Sequence, residues 1–405
     1  MKQLLYIDLF CGAGGTSTGV NSARLHDEPC ADVIACVNHD AKAIASHAAN
    51  HPNALHFTED IRTLELSPLI SHIAECRKDN QEALIVLWAS LECTNFSKAK
   101  GGQPRDADSR TLAEHLFRYI EAIDPDYIQI ENVEEFMSWG DMDENGKPIS
   151  MDKGKSYTRW VRNVKRYGYK FDHRILNAAD YGAYTSRKRF FGIFAKNGLP
   201  IVFPAPTHCK DGSTTLFGNL KKWKPVRDVL DFEDEGKSIF SREKPLSEKT
   251  LERIYAGLIK FVAGGKSAFM VKYNSVNQKT GKYVPPSLDS PCPTIATQGR
   301  LALASVAFLS KQFGGAPEGK NDTDSPIAMK IKEFMVMYGI IDIKMRMLKI
   351  PELKKIMGFP EDYVLIGTQA DQNKFIGNAV EVTIARAWCE ALCCELEKHL
   401  KKEIV

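Results

Sequence analysis

Cys93 stands in the run Ser90-Leu91-Glu92-Cys93-Thr94-Asn95-Phe96-Ser97, directly after the apolar segment Leu84-Ile85-Val86-Leu87-Trp88. A thiol that leaves an apolar strand and enters a Gly/Lys-rich loop sits at the mouth of a sheet, where parallel α/β folds place reactive groups. Lys98 and Lys100 follow closely, and a cationic neighbourhood favours the thiolate, the attacking species. Buried cysteines are mostly inert small hydrophobes, so a nucleophile needs partners. Glu131 ends a second strand-like run, Tyr127-Ile128-Gln129-Ile130. A carboxyl group there is partly buried, its pKa raised, and able to donate a proton. In Thr185-Ser186-Arg187-Lys188-Arg189, an extended backbone puts Arg187 and Arg189 on one face and Lys188 on the other. Paired guanidinium groups suit a carbonyl oxygen, a phosphate or a carboxylate; a surface ion-pair strand is the plainer alternative.

A glycine-rich turn, Phe10-Cys11-Gly12-Ala13-Gly14-Gly15, follows the first apolar run. It lets the backbone pass close beneath a ligand and opens a helix. Such a turn serves NAD, FAD or S-adenosylmethionine alike. Ser17 stands where a dinucleotide fingerprint has its third glycine, which counts against a dinucleotide. A second strand ends at Asn38-His39-Asp40, whose polar groups can reach ribose hydroxyls. Asp60, in Glu59-Asp60-Ile61, either accepts from an exocyclic amine or caps a helix.

Strands over 4–9, 33–37, 84–88, 127–130, 171–176 and 190–195 alternate with helical stretches, which predicts an α/β, doubly wound, mostly parallel sheet. Leu112, Leu116, Ile120 and Ile123 mark one face of a covering helix over 110–123. After Pro204 the pattern changes, and 205–344 reads as a second, smaller, irregular domain with one helix near 247–261. The first domain (1–204) is then completed by 345–405, which closes in a single helix over 373–402. Its positions Ile376, Val380, Ile384, Trp388 and Leu392 dock on the sheet.

At 405 residues, 43% hydrophobic and 26% charged, the composition is that of a soluble globular protein. No apolar run reaches a membrane span, and the chain begins on a strand, which excludes a membrane partner and predicts no signal peptide. Ten cysteines without a C-x-x-C repeat predict neither a metal site nor disulfides, and hence a reducing, cytoplasmic setting. Residues 236–311 hold twelve Lys/Arg against four Asp/Glu, a net of +8 in a chain of net +3. That segment is an electrostatic footprint for a polyanion.

Taken in order, these motifs resemble the DNA (cytosine-5) methyltransferase family. The matching stretches are Asp8 to Gly15, Cys93 to Ser97, Glu131-Asn132-Val133, Ala179 to Gly182 with Arg187 to Arg189, Arg346 through Glu352 to Gly358-Phe359-Pro360, and Gln372 to Gly377-Asn378-Ala379-Val380. The resemblance implies an S-adenosylmethionine-dependent fold with 205–344 as target-recognition domain. It implies S-adenosylmethionine bound by Asp8, Phe10, Gly12, Gly14, Gly15, Asn38, His39, Asp60, Ile61, Asn378 and Val380, and no metal. Cys93 would attack C6 of a flipped cytosine while Glu131 binds N3 and the amine. Arg187 would hold the carbonyl oxygen, Arg189 would brace Glu131, and Asn132 would fix the loop bearing Cys93. The Gly-rich stretch after Cys93, through Asp106 to Arg110, looks like a lid that closes over DNA. Double-stranded DNA is the implied partner, with a cognate restriction endonuclease in a restriction-modification system, and the chain is expected to be a monomer. RNA as substrate, and a DNA-binding homologue without turnover, are the competing readings. A nicotinamide oxidoreductase calls for none of Cys93, Glu131 and the arginine pair. Four positions depart from the pattern: Glu92 replaces proline before the thiol, Asn38 replaces the ribose-binding acid, Tyr184-Thr185 replaces Pro-Gln, and Glu381 replaces proline.

Overall fold

The structure is a computed structural model describing residues 3–91, 112–140, 154–215, 218–273, 276–277, 280–309 and 325–403. Glu92, Cys93 and the lid stretch from there through Arg110 lie outside the described residues. Seven strands form the main sheet: β1 (Leu4–Leu9), β2 (Ala31–Val37), β3 (Leu55–Phe57), β4 (Leu84–Ser90), β5 (Tyr127–Asn132), β6 (Tyr169–Asn177) and β7 (Lys188–Lys196). Their order is β3-β2-β1-β4-β5-β7-β6. All pairings from β3 to β5 are parallel, while β7 runs antiparallel to both its neighbours. The fold is thus the expected mostly parallel, doubly wound α/β sheet. β1 and β4 are apolar almost throughout, and β5 is buried throughout, because both faces are covered. The strand order reverses between β1 and β4, and the crevice at their carboxyl ends is where such sheets bind ligands.

Helices α1 (Gly15–Asn21), α2 (Ala41–Asn50), α3 (Ser67–Asp79), α4 (Leu116–Ile123) and α5 (Lys155–Lys165) accompany this sheet. Leu116 and Ile120 of α4 are buried, with Leu112 and Ile123 packed beside them, as the sequence pattern predicts. A second sheet is antiparallel, in the order β8 (Lys237–Ser238), β11 (Ile340–Met347), β10 (Leu301–Phe308), β9 (Ala268–Lys272). Helices α6 (Glu248–Gly257) and α7 (Pro326–Tyr338) bury Ile254 and Phe334 in the same core as its strands. β11 runs through position 345, so the segment bearing Arg346 belongs to this second sheet.

The chain closes with α8 (Ile350–Ile356), α9 (Gln369–Asn378) and α10 (Val382–Glu403). The predicted single terminal helix is therefore two. Ala379 turns extended at φ −59°, ψ 145°, and the Glu381 carboxylate accepts from Ile384 N at 2.9 Å, starting a new helix as a cap does. Burial lifts that carboxyl to about 7. Val380, Ile384, Trp388 and Leu392 do pack on the main sheet, whereas Ile376 joins the core between α8 and the second sheet.

Trp388 is fully buried against Trp88 at 5.5 Å and Phe191 at 5.4 Å between ring centroids. Its Nε1 donates to Val202 O at 2.7 Å. Trp388→Phe leaves that acceptor without its donor, and denaturant unfolding is expected to show a loss of about 1–3 kcal/mol.

Candidate active site

Glu131 lies at the end of β5, in register with Ser90 of β4 on one side and Phe191 of β7 on the other. The chain leaves β4 from that register toward Cys93. Glu131 is 5% exposed, and burial pushes its carboxyl above the usual carboxylate value, with Arg189 and Arg187 pulling it back down. Arg189 Nε stands 3.3 Å from Glu131 Oε1, an ion pair without hydrogen-bond alignment, so that oxygen keeps its acceptor capacity. Lys188 is exposed between two sheltered arginines, as the alternation of an extended chain requires.

Arg187 is 4% exposed and donates from Nη1 to Gly377 O at 3.0 Å. It thereby ties the start of β7 to the end of α9. Asn132 is wholly buried, and its Oδ1 accepts from Val133 N at 2.8 Å. Glu131, Arg187, Arg189 and Asn132 are thus one group at the carboxyl end of β5.

The glycine turn sits across the crevice. Phe10 and Gly12 are left-handed at φ 60° and 54°, and among the described residues beyond its chain neighbours no atom lies within 4 Å of where a Gly12 Cβ would be. That open ground over the turn leaves room for a ligand backbone to approach. Gly14, at φ 98°, faces protein: a Cβ there would collide with Tyr363 Oη, and one at Gly15 with Val380 O. Tyr363 donates to Ala13 O, fastening the turn to the C-terminal segment. Sequence reading passed over Tyr363, since only the fold brings residue 363 to residue 13. Asp8 is fully buried. One of its oxygens accepts from Ser17 Oγ at 2.8 Å, and the other has no partner among the described residues.

Asn38 Oδ1 accepts from Asp40 N at 2.8 Å, and His39 beside it is exposed. Asp40 caps α2 through Lys42 N and Ala43 N and pairs with Lys374 at 2.8 Å. Asp60 is gripped by the Arg62 guanidinium, which holds its carboxyl below the usual range. Ile61 is buried in the main core and Val380 under α10, while Asn378 is exposed at the end of α9.

The profile of C-5 cytosine-specific DNA methylases matches residues 4–394, nearly the whole chain. The chain belongs to that family. Type II methyltransferase M1.HphI of Haemophilus parahaemolyticus is 25% identical over 395 residues, 96% of this chain and 87% of that protein. M.AgeI of Thalassovita gelatinovora is 29% identical over 203 residues, 50% of this chain and 42% of that protein. Among solved structures, Schizosaccharomyces pombe Dnmt2 superposes with TM-score 0.54 at 18% identity, covering 97% of this chain and 99% of that one. Entamoeba histolytica EhMeth gives TM-score 0.55 at 15% identity, with 98% and 99% covered. These likenesses carry the fold. As a C-5 cytosine-specific DNA methylase this chain is a methyltransferase, and no described helix is long and apolar enough to cross a membrane.

Proposed function

We propose that this methylase transfers a methyl group to C5 of a cytosine flipped out of duplex DNA, through a transient bond between Cys93 Sγ and C6. The carrying observation is the buried Glu131–Arg189–Arg187 group, set in register with the strand from which the chain departs toward Cys93. A buried carboxyl with raised proton affinity can protonate N3 and accept from the exocyclic amine, relieving the negative charge that thiolate attack delivers to the ring. C5 becomes nucleophilic and takes the methyl; loss of the C5 proton then expels the thiolate. Arg189 keeps Glu131 oriented. Arg187, which donates to Gly377 O, is assigned to the base carbonyl oxygen. Asn132 shapes the turn after β5 and with it the loop bearing Cys93.

S-adenosylmethionine, bound over the glycine turn, supplies an electrophilic methyl. The orphaned Asp8 oxygen and the open ground above Gly12 fit such a ligand. Phe10, the exposed His39 and Asn378, and the backbone at Asn38, Asp60, Ile61 and Val380 frame its pocket, while Gly14 and Gly15 let the turn pack closely. We assign residues 1–204 and 345–405 to catalysis and 205–344 to target recognition, with β11 shared between them. The basic segment 236–311 would neutralise DNA phosphates. A soluble, cytoplasmic, monomeric enzyme paired with a cognate endonuclease completes the reading.

Duplex oligonucleotides carrying 5-fluorocytosine test it, because fluorine at C5 blocks the final elimination. With S-adenosylmethionine present, the protein and the DNA strand should join covalently at Cys93, and Cys93→Ala should bind the duplex without joining. Normal methyl turnover with no adduct would overturn the covalent route.

A further inference from the structure

One group of buried side chains takes no part in that chemistry. Cys11, Cys36 and His47 are all buried, and their sulfur and ring-nitrogen atoms lie within 4.8 Å of one another. His47 Nδ1 is 3.6 Å from Cys36 Sγ and 2.9 Å from His56 Nε2. These four residues come from four places: the turn after β1, strand β2, helix α2 and strand β3. Register makes the meeting obligatory for two of them. Cys36 and His56 are direct partners in the parallel β2–β3 pair, so their side chains project from the same face. His47 reaches that face from α2.

We propose that Cys11, Cys36, His47 and His56 form a structural zinc site. Two thiolates and two imidazoles are a donor set of closed tetrahedral zinc centres, and the sulfur ligands disfavour magnesium or calcium. Bond lengths of about 2.3 Å to sulfur and 2.0–2.1 Å to nitrogen place tetrahedral donors roughly 3.3–3.8 Å apart. The 3.6 Å sulfur–nitrogen separation already matches. The 2.9 Å nitrogen–nitrogen separation needs only a few tenths of an ångström of opening.

The outer hydrogen-bond shell points the same way. His47 turns Nδ1 toward the cluster, while Nε2 lies 2.8 Å from Ser17 Oγ, and Ser17 donates onward to Asp8 Oδ2 at 2.8 Å. With a metal on Nδ1, the ring carries its hydrogen on Nε2 and donates outward along a chain that ends in the buried Asp8 carboxyl group. Metal-bound histidines are held in this way, with the tautomer fixed by the outer partner. Four protein donors leave no open coordination position, so the role is structural. The ion would tie the glycine turn, the end of β2 and β3 together beneath the proposed cofactor pocket. Without a metal, the same residues make only a thiol–imidazole hydrogen-bond cluster.

Elemental analysis of the full-length protein, expressed with added zinc and purified without chelator, should find one zinc per chain. Cys36→Ser should lose it, and His56→Gln should lower retention against a competing chelator about tenfold or more. Cobalt-loaded protein should show thiolate-to-cobalt charge transfer and tetrahedral d–d bands, altered by Cys11→Ser. A second buried thiol group, Cys30, Cys389 and Cys393, serves as the control: Cys389→Ser should keep the full equivalent. His56 is only half-buried, so His56→Gln, checked by circular dichroism, still reports if Cys36→Ser does not fold. Wild-type protein that carries no stoichiometric zinc and gives no such cobalt bands would overturn the site. So would metal lost on Cys389→Ser and kept on Cys36→Ser.

Discussion

Glu131→Gln is expected to lower kcat for methyl transfer by about 10²–10⁴-fold, with duplex affinity nearly unchanged. Glutamine keeps the shape and a carbonyl acceptor but cannot hand a proton to N3. The same substitution also changes how stability depends on pH. Burial raises the folded-state pKa of Glu131 above its unfolded value, with Arg189 and Arg187 opposing. The native chain therefore holds a proton that the unfolded chain releases. Its contribution to stability is fully present below the ordinary carboxylate value and is lost as pH rises through the folded value. Glu131→Gln removes that slope, so over this window the variant should lose less stability with rising pH than the wild type. Glu381, lifted by burial to about 7, titrates in the same direction in both proteins, and the difference between the two curves isolates Glu131. Parallel curves, or a kcat within a factor of ten of wild type, would remove Glu131 from the proton-transfer role.

β1, β4 and β7 were legible because they are buried over most of their length and carry apolar runs. Periodicity could not show that β7 is antiparallel, since an antiparallel strand buried on both sides has the same composition. The break at Ala379 to Glu381 was hidden by a coincidence of spacing. Ile376, Val380, Ile384, Trp388 and Leu392 keep an i, i+4 rhythm across it, although Ile376 serves a different core. The second sheet escaped because its pairs are remote: Lys237 of β8 meets Met345 of β11, and no local pattern encodes such a match. At the site, Glu131 and the arginine alternation were readable from strand ends. The tie from Arg187 to Gly377 O and the convergence of Cys11, Cys36, His47 and His56 depend on register and crossover, which spacing along the chain does not contain. The list of ten cysteines suggests no metal, yet Cys36 and His56 become neighbours once β2 pairs with β3.

Arg346 and Glu352 should show the largest stability effect of any charged pair described. Arg346 Nη1 and Nη2 donate to the two Glu352 oxygens, each at 2.8 Å, with side chains 8% and 5% exposed. Glu352 also accepts from Lys349 N at 2.7 Å and Asp231 N at 2.9 Å, and Arg346 reaches the carbonyls of Asp231 and Asp234. One pair thus joins β11, the start of α8 and the segment before β8. Arg346→Met strands a buried carboxylate, and chemical denaturation should register a loss of about 3–5 kcal/mol. Arg346→Met with Glu352→Met leaves no unpaired charge and should cost less than Arg346→Met alone, since the desolvation penalty disappears with the pair. The outer ion pairs of Lys349 with Asp231 and Asp234 are far more exposed, and breaking them should matter little. A double variant as unstable as the sum of both single variants would mean that the two groups act independently. The coordination of β11 with α8, and through α9 with Gly377 and Arg187, would then have to rest on apolar packing alone.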